Sequence, residues 1–230
     1  MVKMRRFQLS GHTLLSALIA LLTPMFLVLL GVRLLMSEPY LMLAYRLPNF
    51  PDDPYGFTLE DRLRYAPYAV QFLLNGAPPD FLANLTFADG TPLYNAREVQ
   101  HMVDVQAVTQ AAMLTLAVLS VIAALGAALL ARSAEGRAVL RRGLRGGALF
   151  TWLLLSALIA YILLDWDHFF DAFHALFFAE GTWRFFTSDT LIRLFPIRFW
   201  QDAALFLGGF CALSALLLYL GTRQRAATQQ

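Results

Sequence analysis

The chain has 230 residues, of which 58% are hydrophobic and 15% charged, with a formal net charge of +2 and a mean hydropathy of +0.56. That is too little polar side chain to coat a water-soluble globule, and the apolar residues fall in long blocks, so part of the solvent is lipid. The small net charge, with no Lys/Arg run among exposed aromatics, argues against a nucleic-acid binder. The single cysteine, Cys211, excludes an internal disulfide or a cysteine-built metal centre and reads as a small packing residue in an apolar run.

Four charge-poor runs, 13–33, 105–131, 146–164 and 203–222, are long enough to cross a bilayer. None alternates as a barrel strand would, so each is expected to be a helix that satisfies its own backbone. The expected fold is an all-α integral membrane protein, one membrane domain over 1–230. Its two extracytoplasmic segments, 37–104 and 165–202, form a small, mostly helical cap. Basic residues cluster at Lys3, Arg5 and Arg6, at Arg132 to Arg145, and at Arg223 and Arg225. Segments 37–104 and 165–202 are instead acidic, with nine acids against four bases and six against three. The basic sides should face the cytoplasm, with both termini inside.

In chain order, the first span reads as an uncleaved anchor with a kink at Pro24, and Arg33 at its outer end snorkels to the headgroups. Thr58 ahead of Leu59, Glu60 and Asp61 predicts a helix N-terminus, and Asn75-Gly76 a stop. Pro67 between them predicts a break. Asp89-Gly90-Thr91-Pro92 predicts a turn within a short hairpin. From Asn95 the chain reads as helix running straight into the second span, where Gly126 offers a close helix contact. Segment 165–202 packs nine Phe and three Trp into its length, an extreme aromatic belt. Its stretch 191–200, containing Pro196, reads as an amphipathic segment lying in the interface. Gly208 and Gly209 are further candidates for close packing in the fourth span. The tail 225–230 reads as disordered.

Three of the four histidines, His101, His168 and His174, fall on the outer side near the membrane plane. A histidine in partly apolar surroundings is neutral at pH 7, as a general base must be, unless a carboxylate holds it charged. Asp104 lies three residues from His101, and Asp171 three from both His168 and His174. The competing reading of these histidines is helix capping or an interfacial hydrogen bond. Serine-hydrolase chemistry has no Gly-x-Ser-x-Gly to support it. A metal site of His101, Asp104 and His174 with His168 or Asp171 is open by residue type, though no fixed-spacing signature marks it. Metal-free acid–base catalysis on an acyl group presented from the bilayer suits His101 and His174 best, and no cofactor is required. Transport finds no support, because no span carries a charge at mid-membrane. A non-enzymatic scaffold or sensor with structural histidines stays open.

The run His101-Met102-x-Asp104-Val105 opening the second span resembles the bacterial lipoprotein intramolecular transacylases, the Lit family. So do Phe173-His174-x-Leu176-Phe177-Phe178-x-x-Gly181-x-Trp183-x-Phe185 and Asp189-x-Leu191-Ile192-x-Leu194-Phe195-Pro196-x-x-Phe199-Trp200. The resemblance implies an intramolecular acyltransferase of the bacterial cytoplasmic membrane with its site on the extracytoplasmic side. Its substrate would be a diacylated lipoprotein, whose sn-2 acyl chain moves from the diacylglyceryl group to the α-amine of the modified cysteine. Two histidines are implicated in the family, and the matching positions are His101 and His174. Asp104, Asp171, His168 and Asp189 are supporting candidates. Trp183, a tyrosine or backbone N–H groups are candidate stabilisers of the tetrahedral oxyanion.

Overall fold

The computed structural model describes residues 11–223. Lys3, Arg5, Arg6 and Arg225, on which part of the orientation argument rests, lie outside the described residues, as does the tail 225–230. Nine helices follow in order among the described residues: α1 (Gly11–Leu35), α2 (Glu38–Ala44), α3 (Leu59–Asn75), α4 (Asp80–Ala83), α5 (Ala96–Leu130), α6 (Ala134–Leu164), α7 (Trp166–Phe177), α8 (Thr190–Leu194) and α9 (Ile197–Gly221). An isolated antiparallel bridge, Thr86 to Pro92, closes the expected turn around Gly90. Four helices, α1, α5, α6 and α9, are long and apolar enough to span a membrane. The all-α, four-span architecture is therefore the observed one.

The chain divides into two compact units. The first comprises Met1–Val28, Ala117–Ile159 and Gly209–Gln230. Its close approach is not where Gly126, Gly208 and Gly209 suggested: a Cβ built on any of these three meets no atom within 4 Å. The contact is made by α6 against α1. A Cβ on Gly143 would lie 2.7 Å from Cβ of Ile19, and one on Gly147 would lie 2.5 Å from Cβ of Thr23. This is a Gly-x-x-x-Gly face, which lets two backbones approach closely. It escaped notice because Gly143 sits among Arg141, Arg142 and Arg145, in what read as a connection; α6 begins at Ala134 and carries those arginines on helix. Gly147→Val is expected to force α1 and α6 apart and to lower the melting temperature in detergent. The same change at Gly126, which has open space beside it, should leave it nearly unchanged.

The second unit comprises Leu29–Leu116 and Ala160–Gly208. Helix α3 lies at its centre, with Tyr65, Ala66, Ala69 and Phe72 buried. Thr58 caps it with a full capping box to Asp61, and Gly76, in the left-handed region at φ 66°, ends it. The expected break at Pro67 does not occur; α3 is continuous over 17 residues. Proline removes one backbone donor, but the burial of one face of α3, including fully enclosed Phe72, outweighs that loss. Residues 191–200 also depart from expectation. They are not spread in the interface: Leu191, Leu194 and Phe199 are buried in the same core as α2 and α3, and the chain turns at Phe195-Pro196 between α8 and α9. Tyr45 fastens this corner by donating from its hydroxyl to the Leu194 carbonyl at 2.9 Å.

Candidate functional site

A helix of 35 residues is roughly 52 Å long, well beyond the ~30 Å hydrocarbon core. The charge-free part of α5 fills the membrane, so its first turns, 96–104, project beyond it. They are fixed at the N-terminus by a second capping arrangement. The Asn95 side-chain oxygen accepts from the backbone N–H groups of Arg97 and Glu98, both at 3.0 Å, and Glu98 accepts from Asn95 N–H at 2.8 Å. The other Glu98 oxygen accepts from Leu191 N–H at 2.7 Å, so one buried carboxyl ties α5 to α8. Burial raises its pKa despite these bonds. Glu98 was missed in the sequence, although Asn-x-x-Glu ahead of a helix is a capping-box signal.

One turn further along α5, His101 enters a cluster of aromatic rings. Its ring meets Phe178 and Phe185 edge-on, each at 5.3 Å between centroids, and its Nδ1 is buried without a protein partner. Burial foremost, with His174 adding to it, pushes the His101 pKa down to about 4, against an upward pull from Asp104. His174 reaches the same cluster from α7. Its Nδ1 lies 2.7 Å from the Phe170 carbonyl oxygen. A carbonyl can only accept, so Nδ1 carries the proton and, in the neutral ring, Nε2 presents a lone pair. Burial lowers its pKa below the ordinary imidazole value, while the Phe170 bond and Asp171 oppose the shift. Phe178 touches both imidazoles, at 5.3 Å from His101 and 6.0 Å from His174.

The loop after α7 completes the cluster. Gly181, at φ 80°, turns the chain so that Trp183 stacks on His174 at 4.7 Å with 27° between planes. Arg184 pairs with Asp171 at 2.9 Å, but both are half-exposed or more, so this link contributes little stability. Asp189 works on the backbone: it accepts from Phe186 N–H at 2.8 Å and from the Asn95 side chain at 3.2 Å, drawing the loop towards the start of α5. Asp104 accepts from Gln100 at 3.1 Å. His168 stays apart. It is exposed, and its ring contact is Tyr161 at 6.0 Å, since six residues turn α7 by about 240° and face it away from His174. Among the described residues, no three His, Cys, Asp or Glu side chains converge as a metal site would need.

The model of the family described as lipoprotein intramolecular transacylase Lit matches residues 17–200. The chain belongs to the Lit family. It is thus a multi-pass membrane acyltransferase of the lipoprotein intramolecular transacylase kind. An uncharacterized protein of Aquifex aeolicus is 29% identical over 205 residues, covering 89% of this chain and 91% of its own. The fold is that of the membrane-integral Lit from Bacillus cereus: TM-score 0.71 at 20% identity, covering 91% of this chain and 93% of that one. A histidine-to-arginine variant of the Bacillus protein gives TM-score 0.69 at 19% identity, over 92% and 90%.

The polar groups around the two histidines are few. Two features of the scaffold went unseen in the sequence. One is Glu98. The other is Arg193, which pairs with buried Asp53 at 3.0 Å and stacks over Phe57 at 3.5 Å. Arg193 has no local partner that would flag it: it and Asp53 are 140 residues apart.

Proposed function

We propose that this Lit protein transfers the sn-2 acyl chain of a diacylglyceryl-cysteine lipoprotein to the α-amine of the same cysteine, by acid–base catalysis at His174 and His101. The observation that carries the reading is the shared aromatic cluster: two imidazoles, both held towards neutrality, around one phenylalanine, with the His174 tautomer set by the Phe170 carbonyl. The neutral amine attacks the ester carbonyl carbon. The nitrogen of the resulting tetrahedral species is then positively charged, and His174 Nε2 takes its proton. As the C–O bond breaks, the imidazolium returns that proton to the departing glyceryl oxygen. The products are an amide and a free sn-2 hydroxyl, with no oxidant, metal or nucleotide consumed.

The two histidines divide the work by environment. His174 has a carbonyl and a nearby carboxylate, Asp171, to support the transient positive charge. His101, with burial and His174 both disfavouring its cation, stays neutral and orients the amine through a hydrogen bond. The cluster lies at the projecting end of α5, on the side of the acidic segments 37–104 and 165–202. Those acidic segments take the outer side by the charge rule, so the site belongs to the outer leaflet.

The test uses a diacylated lipopeptide with an isotopically labelled sn-2 chain, incubated with the purified protein in unlabelled phospholipid. The expected product carries the label on the cysteine nitrogen and a free sn-2 hydroxyl on the same molecule. Because amine and ester already share one molecule, orientation supplies much of the rate. An N-acyl product that keeps both glyceryl esters, or label found in bulk lipid, would point instead to transfer between molecules.

A further inference from the structure

We propose that the indole N–H of Trp183 is the donor that holds the carbonyl oxygen of the transferring acyl group and the oxyanion it becomes. This rests on the acyl-transfer reading of the cluster. The starting observation is a missing partner. Trp183 is 8% exposed, and its Nε1 is buried with no hydrogen-bond acceptor. Buried donors are nearly always paired, and one left open on a ring stacked against His174 is a place for a ligand's acceptor.

Packing explains the ring but not its N–H. The indole stacks on His174 at 4.7 Å, lies under the Arg184 guanidinium at 5.0 Å, and meets Phe170 edge-on at 6.2 Å. A phenylalanine would serve each of these contacts, and Phe170, Phe173 and Phe178 already surround His174. What the indole adds is one neutral, non-titrating donor. The loop holds that donor in place from both sides. Thr182 bonds back to the Ala179 carbonyl through its hydroxyl at 2.8 Å, and Arg97 from α5 grips the Arg184 carbonyl at 2.6 Å.

The acceptor's chemical class follows from the neighbour. The group stacked on Trp183 is the imidazole whose Nε2 faces the reacting nitrogen and the departing oxygen. The third substituent of the same carbon is the carbonyl oxygen, where negative charge develops. A donor fixed beforehand at that point strengthens as the charge grows and needs no reorganisation. An ester carbonyl, with one oxygen to place, is the ligand matched by a single neutral N–H, and the neighbouring Arg184 charge is already taken by Asp171.

The experiment compares wild type with Trp183→Phe, which keeps a ring to stack but loses the N–H. On a diacylated lipopeptide, kcat is expected to fall about 10²–10³-fold with KM nearly unchanged, the signature of an interaction made in the transition state. A phosphonate analogue, with a tetrahedral P–O⁻ in place of the sn-2 ester carbonyl, should lose affinity for the variant by a similar factor. In wild type the same analogue should move the Trp183 indole proton downfield in its NMR spectrum, a readout independent of the variant's folding. A variant kcat within about threefold of wild type, a loss confined to KM, or an unmoved indole proton would overturn the proposal. Should wild type form the N-acyl lyso product and His174→Gln abolish it while Trp183→Phe remains active, the donor role alone fails. A wild type that makes no such product removes the acyl-transfer reading and this donor with it.

Discussion

Replacing His174 with glutamine is expected to lower the transacylation rate by about 10²–10⁴-fold, the usual contribution of a positioned acid–base group. The glutamine amide can still donate to the Phe170 carbonyl, so the helix and the cluster should persist. His101→Asn should be similarly deficient, for loss of orientation. The double variant should be little worse than either alone, because residues acting as one unit are strongly non-additive. An active His174→Gln enzyme with wild-type kcat would remove the histidine from the chemistry. The pH profile gives a second check, and its sign is fixed by the direction of the two shifts. Both imidazole pKa values lie below the ordinary 6.5, that of His101 at about 4. Each ring is therefore lost as a base at a lower pH than a free imidazole would be, His101 only near 4. The substrate α-amine, with an unperturbed pKa of about 7.7–8.0, is the group whose deprotonation limits the rate between pH 6 and 8. The rate at low substrate should rise with pH through the amine's range, with no separate limb at 6.5. A clear limb at 6.5 that moves on mutating His174 would mean that the ring is solvated, not buried.

How far the sequence foretold this depends on the range over which each interaction acts. The four spans follow from composition along contiguous residues, and Thr58 and Gly76 mark the ends of α3 by rules confined to a few residues. His101 and His174 were recognisable as members of two short motifs. That Phe178 links them was not, because nothing local forces α5 and α7 together. Pro67 and the stretch 191–200 misled for the same reason. Proline propensity and amphipathic pattern are local preferences, and the core formed by Tyr45, Phe72, Leu194 and Phe199 overrides both. Gly143 and Gly147 were hidden by the opposite effect: neighbouring arginines masked a helix face whose partner, Thr23, lies far back in the chain.

Breaking the Asp53–Arg193 pair should have the largest effect on stability. Asp53 is 2% exposed and Arg193 14%, so the charges are largely removed from water. One Asp53 oxygen accepts from Arg193 Nε at 3.0 Å and from Phe57 N–H at 2.7 Å. Arg193 also donates to the Tyr55 carbonyl at 3.0 Å. Alongside, the buried Arg62 donates to the carbonyls of Pro51 at 2.8 Å and Arg193 at 3.2 Å. The extended stretch 51–57, which has little regular structure of its own, is thus held by two guanidinium groups. Asp53→Ala leaves a buried cation without its counter-ion and is expected to cost about 3–5 kcal/mol. Asp53→Asn, which keeps an acceptor for Phe57, should cost less. The paired change Asp53→Leu with Arg193→Met should recover much of the loss, because removing both charges also removes their desolvation penalty. Thermal unfolding of the four proteins in one detergent would give this order. The damage should also reach the active site. The Tyr55 hydroxyl hydrogen-bonds the Thr187 hydroxyl at 2.8 Å, four residues from Trp183 along the loop that covers His174. Hydrogen exchange in residues 178–189 should accelerate in Asp53→Ala, and kcat should fall with it although Asp53 touches neither histidine. Unchanged exchange in that loop would show that stretch 51–57 stabilises the fold without restraining the lid of the site.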